Sequence, residues 1–212
     1  MAWTLRPCYF CIAMARPAVF FDRDNTLIIN DGYLGDPARV ILMPGAAPAI
    51  ARARQLGYAV VTVSNQSGVA RGLFDEDAVR AVDQRMDELL QLDDPDAIID
   101  LHIYCPFHPQ AVVAEYRRDS DLRKPAPGML VLAAKKLDLD LNKSWLIGDA
   151  IRDIEAGQAA GCRTILFQPP DVPASPDAAV RPSATADFTA TSLGQAIEFL
   201  APLGYRASIP TK

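Results

Sequence analysis

A four-residue apolar run, Ala18-Val19-Phe20-Phe21, stops abruptly against Asp22-Arg23-Asp24-Asn25-Thr26. The run is too short for a helix, and its valine and phenylalanines suit a buried strand. In an open α/β sheet, ligands bind outside the carboxyl ends of the strands. Two carboxylates placed there repel each other unless a cation sits between them, and a hard, oxygen-seeking ion such as Mg²⁺ is the natural neutraliser. One carboxylate can then attack an electrophile while its neighbour moves protons. Alone, the same residues also describe a solvated acidic turn. Residues farther along the chain decide between the two.

After a loop over 29–36 and a short extended piece over 39–42, Pro44-Gly45 opens a helix over 46–56 that Gly57 closes. The β-branched run over 58–63 reads as a second buried strand. It ends in Ser64-Asn65-Gln66-Ser67-Gly68-Val69-Ala70-Arg71-Gly72, whose hydroxyl, amide and glycine residues suit an anion cradle. Val79, Val82, Met86, Leu89 and Leu90 recur at three- and four-residue steps, which predicts a long amphipathic helix over 75–92. A third strand over 97–104 leads into a long loop, then Arg123-Lys124-Pro125-Ala126-Pro127-Gly128 and a helix to 137. A fourth strand over 144–147 ends in Gly148-Asp149, followed by a helix over 151–160 and a fifth strand over 163–167. A Pro-, Ala- and Asp-rich excursion over 168–185 precedes a short strand near Phe188 and a last helix over 193–200. Strands alternating with helices imply an α/β fold: a doubly wound, mostly parallel sheet with helices on both faces.

At 212 residues the chain forms one domain with a sizeable core. A net charge of −5 argues against nucleic acid as a partner, so an anionic ligand has to be met by local cations. No run approaches the ~20 apolar residues of a membrane span. Residues 1–17 loosely imitate a secretory signal but are too short in their apolar part. They are expected to be a disordered or non-native leader, with 18–203 as the single domain and 204–212 as a tail. Cys8, Cys11, Cys105 and Cys162 give no disulfide framework for a chain of this size, which points to the cytoplasm. A monomer is expected.

Asp22-x-Asp24-x-Thr26, the strand-end Ser64-Asn65, Lys124, and Asp149 with Asp153 stand in an order that resembles the four motifs of the haloacid dehalogenase-like phosphatases. Three further stretches resemble one group of that family, the D-glycero-D-manno-heptose 1,7-bisphosphate 7-phosphatases and the kindred histidinol-phosphate phosphatases. They are Asp31-Gly32-Tyr33-Leu34, the run from Ser64 to Gly72, and Arg123-Lys124-Pro125-x-Pro127-Gly128-Met129. The resemblance implies a phosphomonoesterase without a large cap domain. Asp22 is then the nucleophile and Asp24 the general acid and base. Asp22, Asp149 and the backbone carbonyl of Asp24 are the Mg²⁺ ligands. Thr26, Ser64, Asn65, Gln66, Ser67 and Lys124 bind the phosphoryl group; Asp31, Gly32, Tyr33, Leu34 and Arg123 contact the rest of a small phosphorylated sugar. Asp153, one helical turn beyond Asp149, orients its neighbours from behind. Where many relatives have glycine the chain has Asn25, the residue that next best tolerates a left-handed backbone.

Two departures from the group stand out. Ala150 occupies the place of a lysine that helps bind substrate. The group's zinc-binding positions read Cys105, Phe107, Ser120 and Leu122, so only Cys105 of four ligands is retained and the zinc site is expected to be lost. A Cys₃His set of Cys8, Cys11, Cys105 and His108 is the remaining way to hold a metal there. Three readings result: a Mg²⁺-dependent heptose-bisphosphate phosphatase first, a histidinol-phosphate or other small sugar-phosphate phosphatase second, and a catalytically reduced phosphometabolite-binding protein third.

Overall fold

In the computed structural model, which describes residues 15–30, 32–170 and 184–200, six parallel strands form one sheet in the order β3-β2-β1-β4-β5-β6. β1 is Ala18–Phe21, followed by helix α1, Ala46–Gln55, and by β2, Ala59–Asn65. A single turn of helix, α2 (Ser67–Ala70), precedes the long α3, Glu76–Asp93, and β3, Leu101–Cys105. Then come α4 (Gly128–Leu137), β4 (Trp145–Gly148), α5 (Ile151–Ala159), β5 (Arg163–Phe167), β6 (Phe188–Ala190) and α6 (Leu193–Glu198). The expected fold class is what forms, and no separate cap domain stands among the described residues. The sheet is parallel at every pairing.

The apolar runs build both faces of this sheet because successive strand residues point to opposite sides. Val19 and Phe21 of β1, with Trp145 and Ile147 of β4, join a core under α1, α3 and α6. Ala18, Phe20 and Leu146 join the opposite core with Met129, Leu130 and Ala133 of α4 and Ala156 of α5. Asp75 caps α3 by accepting from Ala78 N, and Val79, Val82, Met86 and Leu90 form its buried stripe. Asp83 lies on that stripe too, an acid among apolar neighbours.

Three boundaries differ from expectation. β3 starts at Leu101 because Ala97 N and Ile98 N close turns back onto Asp94 and Asp96. The Asp100 carboxylate then caps β2 at Val60 N, 2.8 Å away, and pairs with Arg54. Residues 37–39 form a 3₁₀ turn capped by Asp36, and the extended pairing expected there begins only at Leu42, opposite Ile28. The folded unit also begins before residue 18: Arg16 bridges to Leu139, and Pro17 O accepts from Ala59 N. The readings of residues 1–14 with Cys8 and Cys11, of the tail 204–212, of Asp31 and of most of the 168–185 excursion lie outside the described residues.

Candidate active site

β1 is flanked by β2 on one side and β4 on the other, so the sheet order reverses beside it and opens a crevice at its carboxyl end. The loop after β1 turns sharply there: Asn25 sits at φ 58°, in the left-handed region, and its side-chain oxygen accepts from Asn30 N. The two aspartates of this loop reach into separate pockets.

Asp22 enters a buried, carboxylate-rich pocket built with β4, α5 and Lys124 from the loop before α4. Lys124, fully buried, donates to Val63 O at 2.8 Å and forms ion pairs with Asp22 Oδ1 at 2.9 Å and Asp153 Oδ1 at 2.6 Å. Asp153 spends its other oxygen on Ala150 N, the first free N–H of α5. It can lie this close to β4 only because residue 148 is glycine; a Cβ there would stand 2.5 Å from the Asp153 side chain. Asn65 grips the backbone of Lys124 from both sides, donating to its carbonyl and accepting from its N–H at 3.0 Å each. Its amide therefore positions the lysine, a correction to the expectation that it faces the phosphoryl group.

Carboxylate oxygens of Asp22, Asp149 and Asp153 lie within 4.8 Å of one another. Burial, above all, drives the Asp149 carboxyl up to about 8, with Asp22 and Asp153 adding to the rise. Burial also lifts Asp22, against the pull of Lys124, to about 6. Asp149 Oδ1 is buried and has no hydrogen-bond partner. A buried oxygen without a hydrogen bond, with the Arg152 guanidinium 4.0 Å away, among oxygen-only donors fits a hard divalent cation.

Asp24 enters a pocket of donors. Its Oδ1 accepts from Asn30 Nδ2 at 2.7 Å and its Oδ2 from Ser64 Oγ at 3.0 Å and Gln66 Nε2 at 2.7 Å. Arg23 offers Nε and Nη2 to the two oxygens, at 3.3 Å each. Burial works against the charge, but Arg23 with Asn30 and Ser64 outweighs it and holds this carboxyl below the usual range.

The remaining expected residues divide. Tyr33, 46% exposed, stands at the mouth with the Arg71 guanidinium 5.7 Å from its ring, and Gly32 is exposed beside it. Leu34 is 3% exposed and packs into the core, which removes it from the substrate contacts expected of it. Thr26 is wholly buried with its hydroxyl unpartnered. Ser67 opens α2. Arg123 is partly buried, and burial together with Arg152 and Arg71 lowers its hold on its proton, so three cations gather there. At the group's zinc positions, Phe107 packs against Tyr116 and under Arg118, and with Leu122 joins the apolar cluster around buried Cys105. His108 Nδ1 accepts from Gln110 N. Asn30, Asp83 and Arg152 are unexpected members of the site. Asp83 carries a signal in the sequence, an acid at an apolar position of the α3 repeat.

Comparisons with known proteins agree on one family. A family model described as HAD-hydrolase-like matches residues 121–196. The D-glycero-β-D-manno-heptose-1,7-bisphosphate 7-phosphatase of Rhodopseudomonas palustris is 42% identical over 76% of this chain and 88% of its own length. The Escherichia coli K12 protein of the same name is 37% identical over 79% and 86%. A D,D-heptose 1,7-bisphosphate phosphatase from B. bronchiseptica, crystallised with magnesium and phosphate, superimposes with TM-score 0.75 at 30% identity, covering 88% of this chain and 99% of that one.

Proposed function

This chain belongs to the haloacid dehalogenase-like phosphatases, and from that premise we propose that it removes the 7-phosphate of D-glycero-D-manno-heptose 1,7-bisphosphate through an aspartyl-phosphate. The observation that carries the reading is the split between the two aspartates: one paired with a buried lysine in a cation-seeking pocket, the other surrounded by donors. The relatives' names supply the substrate.

Asp22 attacks phosphorus, the bond from phosphorus to the C7 oxygen breaks, and that oxygen takes a proton from Asp24. Asp24, ionised in the resting site, has taken that proton from solvent as substrate binds. Water then attacks the aspartyl-phosphate and gives a proton to Asp24, which leaves inorganic phosphate and a free Asp22 carboxylate. Lys124 faces Asp22 and balances charge on the transferring group. Asp22, Asp149 and the Asp24 carbonyl would hold Mg²⁺, which supplies the positive charge that lets carboxylates and a phosphate dianion share one pocket. Asp153 keeps Lys124 aimed. Tyr33 and Gly32 border the sugar, and Arg123, with Arg71 and Arg152 near it, meets the phosphate that is not cleaved.

No helix among the described residues is long and apolar enough to cross a membrane. The buried free thiols of Cys105 and Cys162 support placement in a reducing cytoplasm, and we take the enzyme as a monomer. The test is a panel of sugar phosphates plus histidinol phosphate, with Mg²⁺. The heptose bisphosphate should give the highest kcat/KM and leave the 1-phosphate intact. Preferential turnover of histidinol phosphate would overturn the substrate assignment.

A further inference from the structure

Arg23 separates the two aspartates in sequence, yet its side chain turns away from the mouth and is 1% exposed. A guanidinium keeps its charge at any working pH, so burying it is costly unless its whole fork is engaged. Here it is: Nη1 donates to Asp83 Oδ1 at 2.9 Å, while Nε and Nη2 face the two oxygens of Asp24. Asp83 comes from α3, 60 residues away, where it interrupts an apolar stripe. A buried ion pair is weak support for stability, since apolar residues of like volume do as well or better. A reason beyond packing is therefore needed for two charges at this spot.

The geometry supplies one. A planar fork meeting both oxygens of a carboxylate fixes the plane of that carboxylate, which a point charge does not. Asn30, Ser64 and Gln66 then close on the same two oxygens from the β1 loop, from β2 and from the residue just past β2. We propose that Arg23, anchored on Asp83, is a positioning residue that sets the plane of the Asp24 carboxylate toward the leaving-group oxygen. The inference rests on the reading that Asp24 moves the proton. Arg23 itself touches no reacting atom.

Two substrates separate positioning from mere support. The alkoxide leaving heptose 1,7-bisphosphate needs a proton from Asp24; the nitrophenolate leaving p-nitrophenyl phosphate does not. Arg23→Lys keeps the charge and loses the fork. It should lower kcat on the bisphosphate about 10²-fold, the scale of a misplacement on the order of 1 Å. KM should stay within about twofold, since the loss falls on the transition state alone. Single-turnover release of nitrophenolate, with enzyme in excess, should stay near the wild-type rate. Asp83→Asn keeps the acceptor for Nη1 and removes the anchoring charge, so it should give the same split at about a tenth of wild-type kcat. Asp83→Asn decides alone if Arg23→Lys does not fold. Wild-type kcat on the bisphosphate, or an equal loss on both substrates, overturns the inference. Asp24→Asn is run beside them: full turnover there would refute the proton role of Asp24 and so the proposed function, a different failure.

Discussion

Asp22 and Asp24 stand two residues apart and occupy pockets of opposite character. Around Asp22 the carboxylates gather: one ammonium group, Lys124, answers both Asp22 and Asp153, while Asp149 keeps an oxygen with no hydrogen bond and the Arg152 guanidinium 4.0 Å from it. Around Asp24 the donors outnumber the oxygens they serve. The first pocket pushes its acids toward the neutral form, and the second holds its acid ionised. The difference shows how one short loop past a strand end can prepare two like groups for unlike tasks. The Asp22 pocket is rich in carboxylates and answers them with Lys124 and, at longer range, Arg152. The Asp24 pocket satisfies its carboxylate and spreads that support over four residues.

From that contrast, damage to the Asp22 pocket should be severe and damage to single neutral donors of Asp24 mild. Asp22→Asn should reduce turnover by about 10⁴-fold or more, because an amide is a poor nucleophile and a poorer cation ligand. Measurable steady-state phosphate release near the wild-type rate would end the covalent mechanism. Lys124→Ala should come next, with a loss on the order of 10³-fold, the scale at which a charge-stabilising group of phosphoryl transfer acts. The same change should destabilise the fold by about 3–5 kcal/mol in denaturant titration, since it strands buried carboxylates. A Lys124→Ala protein as stable as wild type would show that the lysine is not the hub of this pocket.

The metal-free protein should report the same contrast through pH. Asp149 rises in the fold from 3.8 to about 8, so its contribution to stability is complete below about 4 and is lost as pH climbs through about 8; Asp22 behaves alike with its midpoint at about 6. In EDTA, Tm should therefore fall from this source between those limits. Mg²⁺ competes with protons for the same oxygens, so it should raise Tm more at pH 8 than at pH 5; at pH 8 a hundredfold excess over Kd should add about 2.7 kcal/mol of stability. Thermal melts at the two pH values, with Mg²⁺ and with EDTA, check this; a Mg²⁺ effect equal at both would contradict the cation-seeking pocket. The smallest effect belongs to Ser64→Ala, which takes one neutral donor from several. It should cost kcat about 3- to 10-fold, the range of one hydrogen bond. A loss as large as that of Lys124→Ala would mean the donors of Asp24 are not redundant.

Much of this is legible in the sequence alone. The placement of Asp22 and Asp149 at strand ends, and of Lys124 ahead of a helix, comes from short apolar runs alternating with amphipathic stretches, a local pattern. Gly57 and Gly161 end their helices at positive φ as the pattern implies. Pairings across distance lie beyond its reach. Arg23 reads as one of the local cations for an anionic substrate until Asp83 is brought to it from α3. Asn65 reads as a phosphate donor until its amide is seen to hold the backbone of Lys124, 59 residues on. Leu34 sits in a loop resembling a substrate loop, and only the packing of α1 and β1 shows that it is core. The early end of the apolar run 97–99 depends on Asp100 reaching Val60 and Arg54, again a tertiary event.

In the proposed mechanism Asp22 takes the phosphoryl group and Asp24 later frees it. The Asp24→Asn protein mixed with p-nitrophenyl phosphate isolates the two, because nitrophenolate departs without a proton while the hydrolysing water lacks its base. Intact-protein and peptide mass spectrometry after rapid quenching should find one phosphoryl group per chain, on Asp22 and removable by hydroxylamine. A chain that releases nitrophenolate yet carries no phosphoryl group, or carries it on any other residue, would contradict the account.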